Sequence, residues 1–416
     1  MPDRSFLNLV SIGTREGPPA PAAYSRAMTR DPGPATLGVH AGDDPQRFYG
    51  AVAPPIFEAS LFAFPSFDEL VEGLSGRKGS YVYTRGRNPT VELAEAKLAA
   101  LEGGEAAKFF GSGMAAIAAT ILANVSQGEH VVCVRSVYGV TERLLTAWLP
   151  RFGVESSFVD GTDPAAIEGA IKETTRLIYL ESPTSLTFQL QDLAAVAGIA
   201  RRRGIVTAID NSWASPLFQR PLDLGIDYSI HTASKYIGGH SDVVAGAVIA
   251  SEERIERLLA QEHAMLGGVI GPFEAWLCLR GLRTLALRMR QHQESALRFA
   301  AHMEKHPKVL RVVHPGLSSH PQHDLARRQM SGFGGLFGIE LAGDLDAVRR
   351  FCDALRLFRL GVSWGGFESL FFPAGAVHAK RAGSPGELPV GYARVFIGLE
   401  DVDDLIDDFE QALERI

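Results

Sequence analysis

The chemistry of this chain can be argued from three segments. Ile205 to Ile209 reads as a buried strand, and it ends in Asp210, followed by Asn211-Ser212-Trp213. A carboxylate at the ligand edge of a sheet is costly to bury without a cationic partner. Further on, a strand ending near His231 delivers Thr232-Ala233-Ser234-Lys235-Tyr236 into Gly238-Gly239-His240, which combines hydroxyls suited to phosphate with a reactive amine. The third segment is Phe109-Phe110 followed by Gly111-Ser112-Gly113-Met114-Ala115-Ala116, a strand, a glycine turn and a helix start, whose first backbone N–H groups are available to an anion. Taken singly, each has a blander reading: a solvated lysine, a capping acid, a tight turn without ligand.

Two ligand classes fit these segments. The G-x-G-x-x-A spacing is that of a dinucleotide fingerprint, which wants an acid closing the second strand about 20 residues on. The strand Val131 to Val134 instead ends in Arg135, a residue that could meet a 2′-phosphate, so an NADP-dependent oxidoreductase is the alternative from a different class. Pyridoxal phosphate uses all three segments at once. Its aldehyde takes a lysine, its protonated pyridine nitrogen takes a carboxylate, and its phosphate takes amides and hydroxyls.

Seven short apolar runs bounded by turn residues supply the elements that must position these groups: Ala106 to Phe110, His130 to Val134, Val154 to Val159, Arg176 to Glu181, Ile205 to Asp210, Tyr228 to His231 and Val244 to Ala250. Helical segments such as Ala115 to Ala123, Thr141 to Pro150 and Leu193 to Arg203 separate most of them, so an α/β fold with a mostly parallel, doubly wound sheet is expected. The expected division is a tail and N-terminal arm over 1–88, a large cofactor-binding domain over 89–281 and a smaller α+β domain over 282–416. That last part would open on a helix Leu282 to Lys305 and continue through a strand Gly334 to Leu341, a helix Leu345 to Phe358, a strand Ala393 to Ile397 and a last helix. The acidic run Glu400, Asp401, Asp403 and Asp404 reads as the solvated start of that helix. Gly17 to Ala23 and the residues up to about Met28, an alternative start, are expected to form a disordered tail.

The 416 residues carry 46% apolar and 21% charged residues and a net charge of −7, which gives no global attraction for nucleic acid. No apolar run approaches the ~20 residues of a membrane span. Three scattered cysteines and no targeting signal suit a cytoplasmic protein. The spacings His302/His306 and His320/His323 suggest no third ligand, and no metal is expected.

Beyond these segments, the chain carries Tyr83-Thr84-Arg85 before Asn88-Pro89-Thr90, Val137-Tyr138-Gly139 and Ser363-Trp364-Gly365-Gly366-Phe367-Glu368-Ser369. With Gly111-Ser112-Gly113-Met114-Ala115, Asp210-Asn211-Ser212-Trp213 and Ser234-Lys235-Tyr236-Ile237-Gly238-Gly239-His240, these make the sequence resemble the cysteine/methionine-metabolism family of fold-type I pyridoxal-phosphate enzymes, and within it the cystathionine β-lyase branch. The likeness runs from Thr36 to the C-terminus. It implies that Lys235 binds the cofactor covalently and then shuttles protons, that Asp210 keeps the pyridine nitrogen protonated, and that Tyr138 stacks on the ring with its hydroxyl near the departing sulfur. It further implies that Gly113, Met114, Thr232 and Ser234 hold the phosphate, with Tyr83 and Arg85 reaching it from a neighbouring subunit of a homotetramer, a dimer of dimers with shared sites. Arg394, helped by Ser363 and Trp364, would take the substrate α-carboxylate.

Three positions distinguish branches of that family. Many relatives carry Asn where this chain has Ser185, and enzymes acting at the γ carbon tend to have Glu where it has Val362, immediately before Ser363 and Trp364. The resemblance therefore implies β-elimination from a small sulfur-containing amino acid: cystathionine or a related cysteine S-conjugate would give a thiol, pyruvate and ammonia. A γ-elimination lyase and a cystathionine γ-synthase-like transferase are the same-fold alternatives. Val140, where the family more often has Gly, bears on the leaving-group pocket.

Overall fold

Short apolar runs and capped helices do alternate as the sequence implies. The computed structural model describes residues 31–75, 80–382 and 388–416, so the tail expected around Gly17 to Met28 lies outside the described residues. Seven strands form the larger sheet: β1 (Ala106–Phe110), β2 (His130–Val134), β3 (Glu155–Val159), β4 (Thr175–Glu181), β5 (Val206–Asp210), β6 (Tyr228–His231) and β7 (Gly246–Ala250). Their order is β1-β7-β6-β5-β4-β2-β3, and only β7 runs against the rest. The central strands are almost entirely buried because helices cover both faces, which is why they read as continuous apolar runs.

Local signals set the helices that flank the site. Asn88 caps Pro89–Glu102 by accepting from Thr90 N at 2.9 Å, with Pro89 at the first helical position. Ser112 caps Gly113–Leu122 by accepting from Ala115 N at 3.0 Å. The expected helix Thr141 to Pro150 is instead three short pieces, α-helical Gly139–Arg143, π-helical Leu144–Trp148 and 3₁₀-helical Leu149–Phe152.

The second sheet has the order β10-β11-β12-β9-β8, from β8 (Val309–Val313), β9 (Leu336–Leu341), β10 (Arg359–Leu360), β11 (Leu370–Phe372) and β12 (Tyr392–Phe396). Three of these strands, β8, β10 and β11, escape the sequence reading because they are short or half polar. The long helix starts at Pro272, not Leu282, and continues unbroken to Met303, so the expected boundary at 281/282 falls inside one helix that serves both sheets. Its apolar residues pack on the first core through Leu279, Leu282 and Met289 and on the second through Phe299 and Met303. The arm also holds more structure than its weak periodicity suggests, with helices Pro34–His40 and Phe67–Leu74 and a bridge from Leu61 to Tyr83.

Of the acids at the start of the last helix, Val402–Leu413, Asp401, Asp403 and Asp404 are exposed as expected, and Glu400 is the exception. Glu400 accepts from both Ser369 N and Ser369 Oγ at 2.8 Å, which pins the Ser363–Ser369 loop, and Asp403 pairs with Arg298. No helix among the described residues is long and apolar enough to cross a membrane.

Candidate active site

The carboxyl ends of the parallel strands deliver their loops to one cavity of about 530 Å³, closed from the other side by the second sheet. After β6 comes Lys235. Its Nζ donates to Ser363 Oγ at 2.7 Å and lies 5.5 Å from the centroid of the Trp364 ring. Burial lowers its pKa to about 8; the charge of Arg394 pushes the same way and that of Asp210 opposes. The loop can approach the lysine this closely because residue 365 is glycine. At φ 88° a Cβ there would fall 2.8 Å from the carbonyl carbon of Lys235 and from Tyr236 N.

Asp210 ends β5 beside Glu181, its register partner at the end of β4. Its Oδ1 accepts from Ser212 N at 3.0 Å and from Ser212 Oγ at 2.5 Å, leaving Oδ2 without a donor among the described residues. Glu181 is already satisfied, accepting from Ser185 Oγ at one oxygen and from Tyr138 N at 2.7 Å at the other. Burial pushes both carboxyls upward, and each is a like charge to the other. A protonated ring nitrogen at Oδ2 would supply the cation that this burial requires.

The anion side is built where β1 meets the helix Gly113–Leu122. Gly113 lies so close against Thr232 that any Cβ would collide with its side chain, which brings the first turn of the helix and the Thr232 hydroxyl into one cradle. That hydroxyl makes no hydrogen bond among the described residues. The Ser234 hydroxyl donates to Ala245 O at 3.2 Å and accepts from Ala245 N at 2.9 Å, so Thr232 is the freer donor of the two. Helix N–H groups with a hydroxyl, a carboxylate with an open oxygen, and an amine of lowered basicity are together the donor set that pyridoxal phosphate fits.

On the remaining wall, Arg394 projects from β12 and is nine-tenths buried, which brings its pKa down to about 10. Its guanidinium donates to Val362 O and to Ser185 O, tying the two sheets together, and stacks 5.6 Å from the Phe372 centroid. Tyr138, Met114, Ser363 and Trp364 also line the cavity. Tyr83 and Arg85 do not. They line a separate hollow of about 270 Å³, where Arg85 Nη1 donates to Ala264 O at 2.8 Å. Arg135 is exposed and absent from the Lys235 cavity, which removes the residue on which the NADP alternative depended.

Three acids in or behind the cavity wall were not singled out by the sequence reading. Glu181 carried the same signal as Asp210, an acid ending a buried strand. Glu368, inside a motif that was noticed, lines the cavity and accepts from Ser241 Oγ at 2.6 Å. Glu102 had no signal at all: an acid at a helix C-terminus ordinarily points to solvent, yet here it is fully buried and accepts from Asn211 Nδ2, from Ser229 Oγ and from His231 Nε2 behind Asp210.

Comparison with known proteins places this geometry in context. Residues 35–414 match the family described as Cys/Met metabolism PLP-dependent enzyme. The chain is 42% identical over 382 residues to the cystathionine gamma-synthase of Mycobacterium tuberculosis (strain ATCC 25618 / H37Rv), covering 92% of this chain and 97% of the relative. It is 40% identical to the L-methionine gamma-lyase of Pseudomonas putida, covering 92% and 98%. The crystal structure of metB from Corynebacterium glutamicum superimposes with a TM-score of 0.86 at 39% identity, covering 92% of this chain and 98% of that one. Likeness of this extent, running through both sheets and every loop that reaches Lys235, makes the chain a member of the Cys/Met-metabolism family of pyridoxal-phosphate-dependent enzymes, with the fold-type I architecture.

Proposed function

We propose that this enzyme is a carbon–sulfur β-lyase that cleaves cystathionine or a related cysteine S-conjugate to a thiol, pyruvate and ammonia. The cofactor, when bound, supplies an electron sink for the charge left at the substrate α carbon. Lys235 would hold the cofactor and, once freed, take the α proton, a task suited to an amine whose burial leaves it partly neutral near pH 7. Asp210 would hold the ring-nitrogen proton. Arg394 would clamp the substrate carboxylate, in exchange for its present carbonyl partners. Tyr138, 44% exposed at the mouth, would present its hydroxyl to the departing sulfur.

Val362 carries the reading. β-Elimination moves one substrate proton at the α carbon, whereas γ-chemistry must also move protons at the β carbon. The residue before Ser363 offers only a backbone carbonyl to Arg394, and its side chain is apolar and 72% exposed. A second reading, γ-elimination or γ-replacement, is favoured by the names of the relatives, cystathionine gamma-synthase, L-methionine gamma-lyase and cystathionine gamma-lyase. Cystathionine separates them. Homocysteine with pyruvate is the expected result; cysteine with 2-oxobutanoate would overturn β-specificity and leave the family assignment intact. Pyruvate from another conjugate alone would keep the reaction and change the substrate.

We also propose that the site is shared between subunits, as a dimer within a homotetramer, since Tyr83 and Arg85 form a hollow apart from Lys235 in their own chain. Arginine there would reach the partner's phosphate. Mixing Arg85→Ala subunits with Lys235→Ala subunits, each inactive alone at limiting cofactor, is expected to restore activity, because one site of each mixed dimer regains both groups. Continued inactivity after demonstrated subunit exchange would refute sharing.

A further inference from the structure

The Tyr138 ring lines the cavity but is not held there by its own side chain. It is exposed, and its hydroxyl makes no hydrogen bond among the described residues. A site side chain keeps its geometry only where surrounding groups fix it, and here the fixing group reaches the main chain: Tyr138 N donates to Glu181 Oε2 at 2.7 Å. The chain arrives at Tyr138 through Ser136, a non-glycine residue at φ 62°, a left-handed conformation that persists only where the surroundings enforce it. It leaves through the helical turn Gly139–Arg143, whose first amides bond the Tyr138 carbonyl and not its side chain. Glu181 is a firm anchor for this turn. It ends β4 in register with Asp210 on β5, its own N–H donates to Gln191 Oε1 at 3.2 Å, and its buried carboxylate has the second oxygen engaged by Ser185 Oγ. One acid thus ties a sheet strand to the turn that carries the tyrosine.

From this arrangement we infer that Glu181 is a positioning residue, which aims the Tyr138 ring at the cofactor by holding the Tyr138 amide. The inference rests on the reading that Tyr138 stacks on the cofactor ring; it does not depend on which carbon–sulfur bond is cleaved.

The test sets reach against charge. Glu181→Gln removes the charge beside Asp210 and keeps an oxygen within reach of Tyr138 N, its amide nitrogen donating to the Ser185 hydroxyl instead of accepting from it. Glu181→Asp keeps the charge and withdraws it by one methylene. Both are compared with Tyr138→Ala and with the double variant Glu181→Asp/Tyr138→Ala, by equilibrium dialysis of each holoenzyme for the cofactor Kd and by the visible circular dichroism of the bound cofactor. Tyr138→Ala should weaken cofactor binding roughly three- to thirtyfold and diminish the visible band. Glu181→Asp should reproduce most of both changes, while Glu181→Gln stays within about threefold of the wild type. In the double variant the Asp substitution should add less than about twofold to the loss from Tyr138→Ala alone. Should Glu181→Asp not fold, Glu181→Met, which fills similar space without an acceptor, takes its place in the cycle. A loss in Glu181→Gln as large as in Glu181→Asp would make the charge the operative feature, and additive losses in the double variant would mean that Glu181 acts elsewhere; either overturns the inference and leaves the stacking role intact. If Tyr138→Ala leaves both readouts unchanged, the stacking reading fails and the inference falls with it.

Discussion

Replacing Lys235 by alanine should lower turnover by about 10³- to 10⁴-fold, because one amine is asked both to hold the cofactor and to move the substrate proton, and general-base removal alone costs about 10²–10⁴. The environment adds a pH signature. An ordinary lysine near pKa 10.4 is neutral at pH 7 to less than about one part in a thousand, whereas one lowered to about 8 is neutral to roughly a tenth. Only the neutral amine attacks an aldehyde. Trapping of pyridoxal by the apoenzyme under borohydride should therefore rise with pH, reach half its maximum near pH 8 and level off above it. Peptide mapping should find the label on Lys235. A label on a different lysine, or a rate still climbing past pH 10, would displace Lys235 from the role proposed for it.

A comparable loss, in stability, is expected at Glu102. Its carboxylate is the shared acceptor for Asn211 Nδ2 at 3.0 Å, His231 Nε2 at 3.0 Å and the Ser229 hydroxyl, all buried. Asn211 in turn exchanges hydrogen bonds with Gln219, which reaches Ser182 O at the end of β4. Glu102→Ala would leave three buried donors unsatisfied, at about 1–3 kcal/mol each before relaxation, so a loss of about 3–5 kcal/mol is the expected scale. The thermal midpoint should fall by roughly 10 °C. Cofactor retention should weaken as well, since Asn211 adjoins Asp210. A change within about 1 kcal/mol would mean that the network relaxes around water and does not hold the strand ends in register.

The geometry of the large sheet was legible because each determinant is local. A buried parallel strand needs an uninterrupted apolar run, and a helix start needs a cap such as Asn88-Pro89 or Ser112, so strand and helix boundaries fall within a few residues of their signals. The second sheet was less legible. β10 is two exposed residues and β8 has two polar or exposed positions of five, so neither shows a periodicity; their partners across the sheet define them.

The sequence by itself determined the alternation of elements and the meeting of three segments, since Asp210, the Thr232–Lys235 run and the Gly111–Gly113 turn each end or follow a strand and the carboxyl ends of parallel strands must share one edge; the cofactor class came from the resemblance those motifs carry. What only the tertiary structure decided was which side chains from distant segments meet there. The Ser363 loop lies against Lys235 because Gly365 permits the contact and Glu400 anchors Ser369. Tyr83 and Arg85, which the resemblance assigns to the cofactor phosphate, line another hollow. Glu102 looks like any other acid in the chain, and Glu181 shows only that it ends a buried strand. Their meaning comes from burial, because a carboxylate removed from water must find its donors in whatever segments the fold brings within about 3 Å, and sequence spacing does not encode that distance.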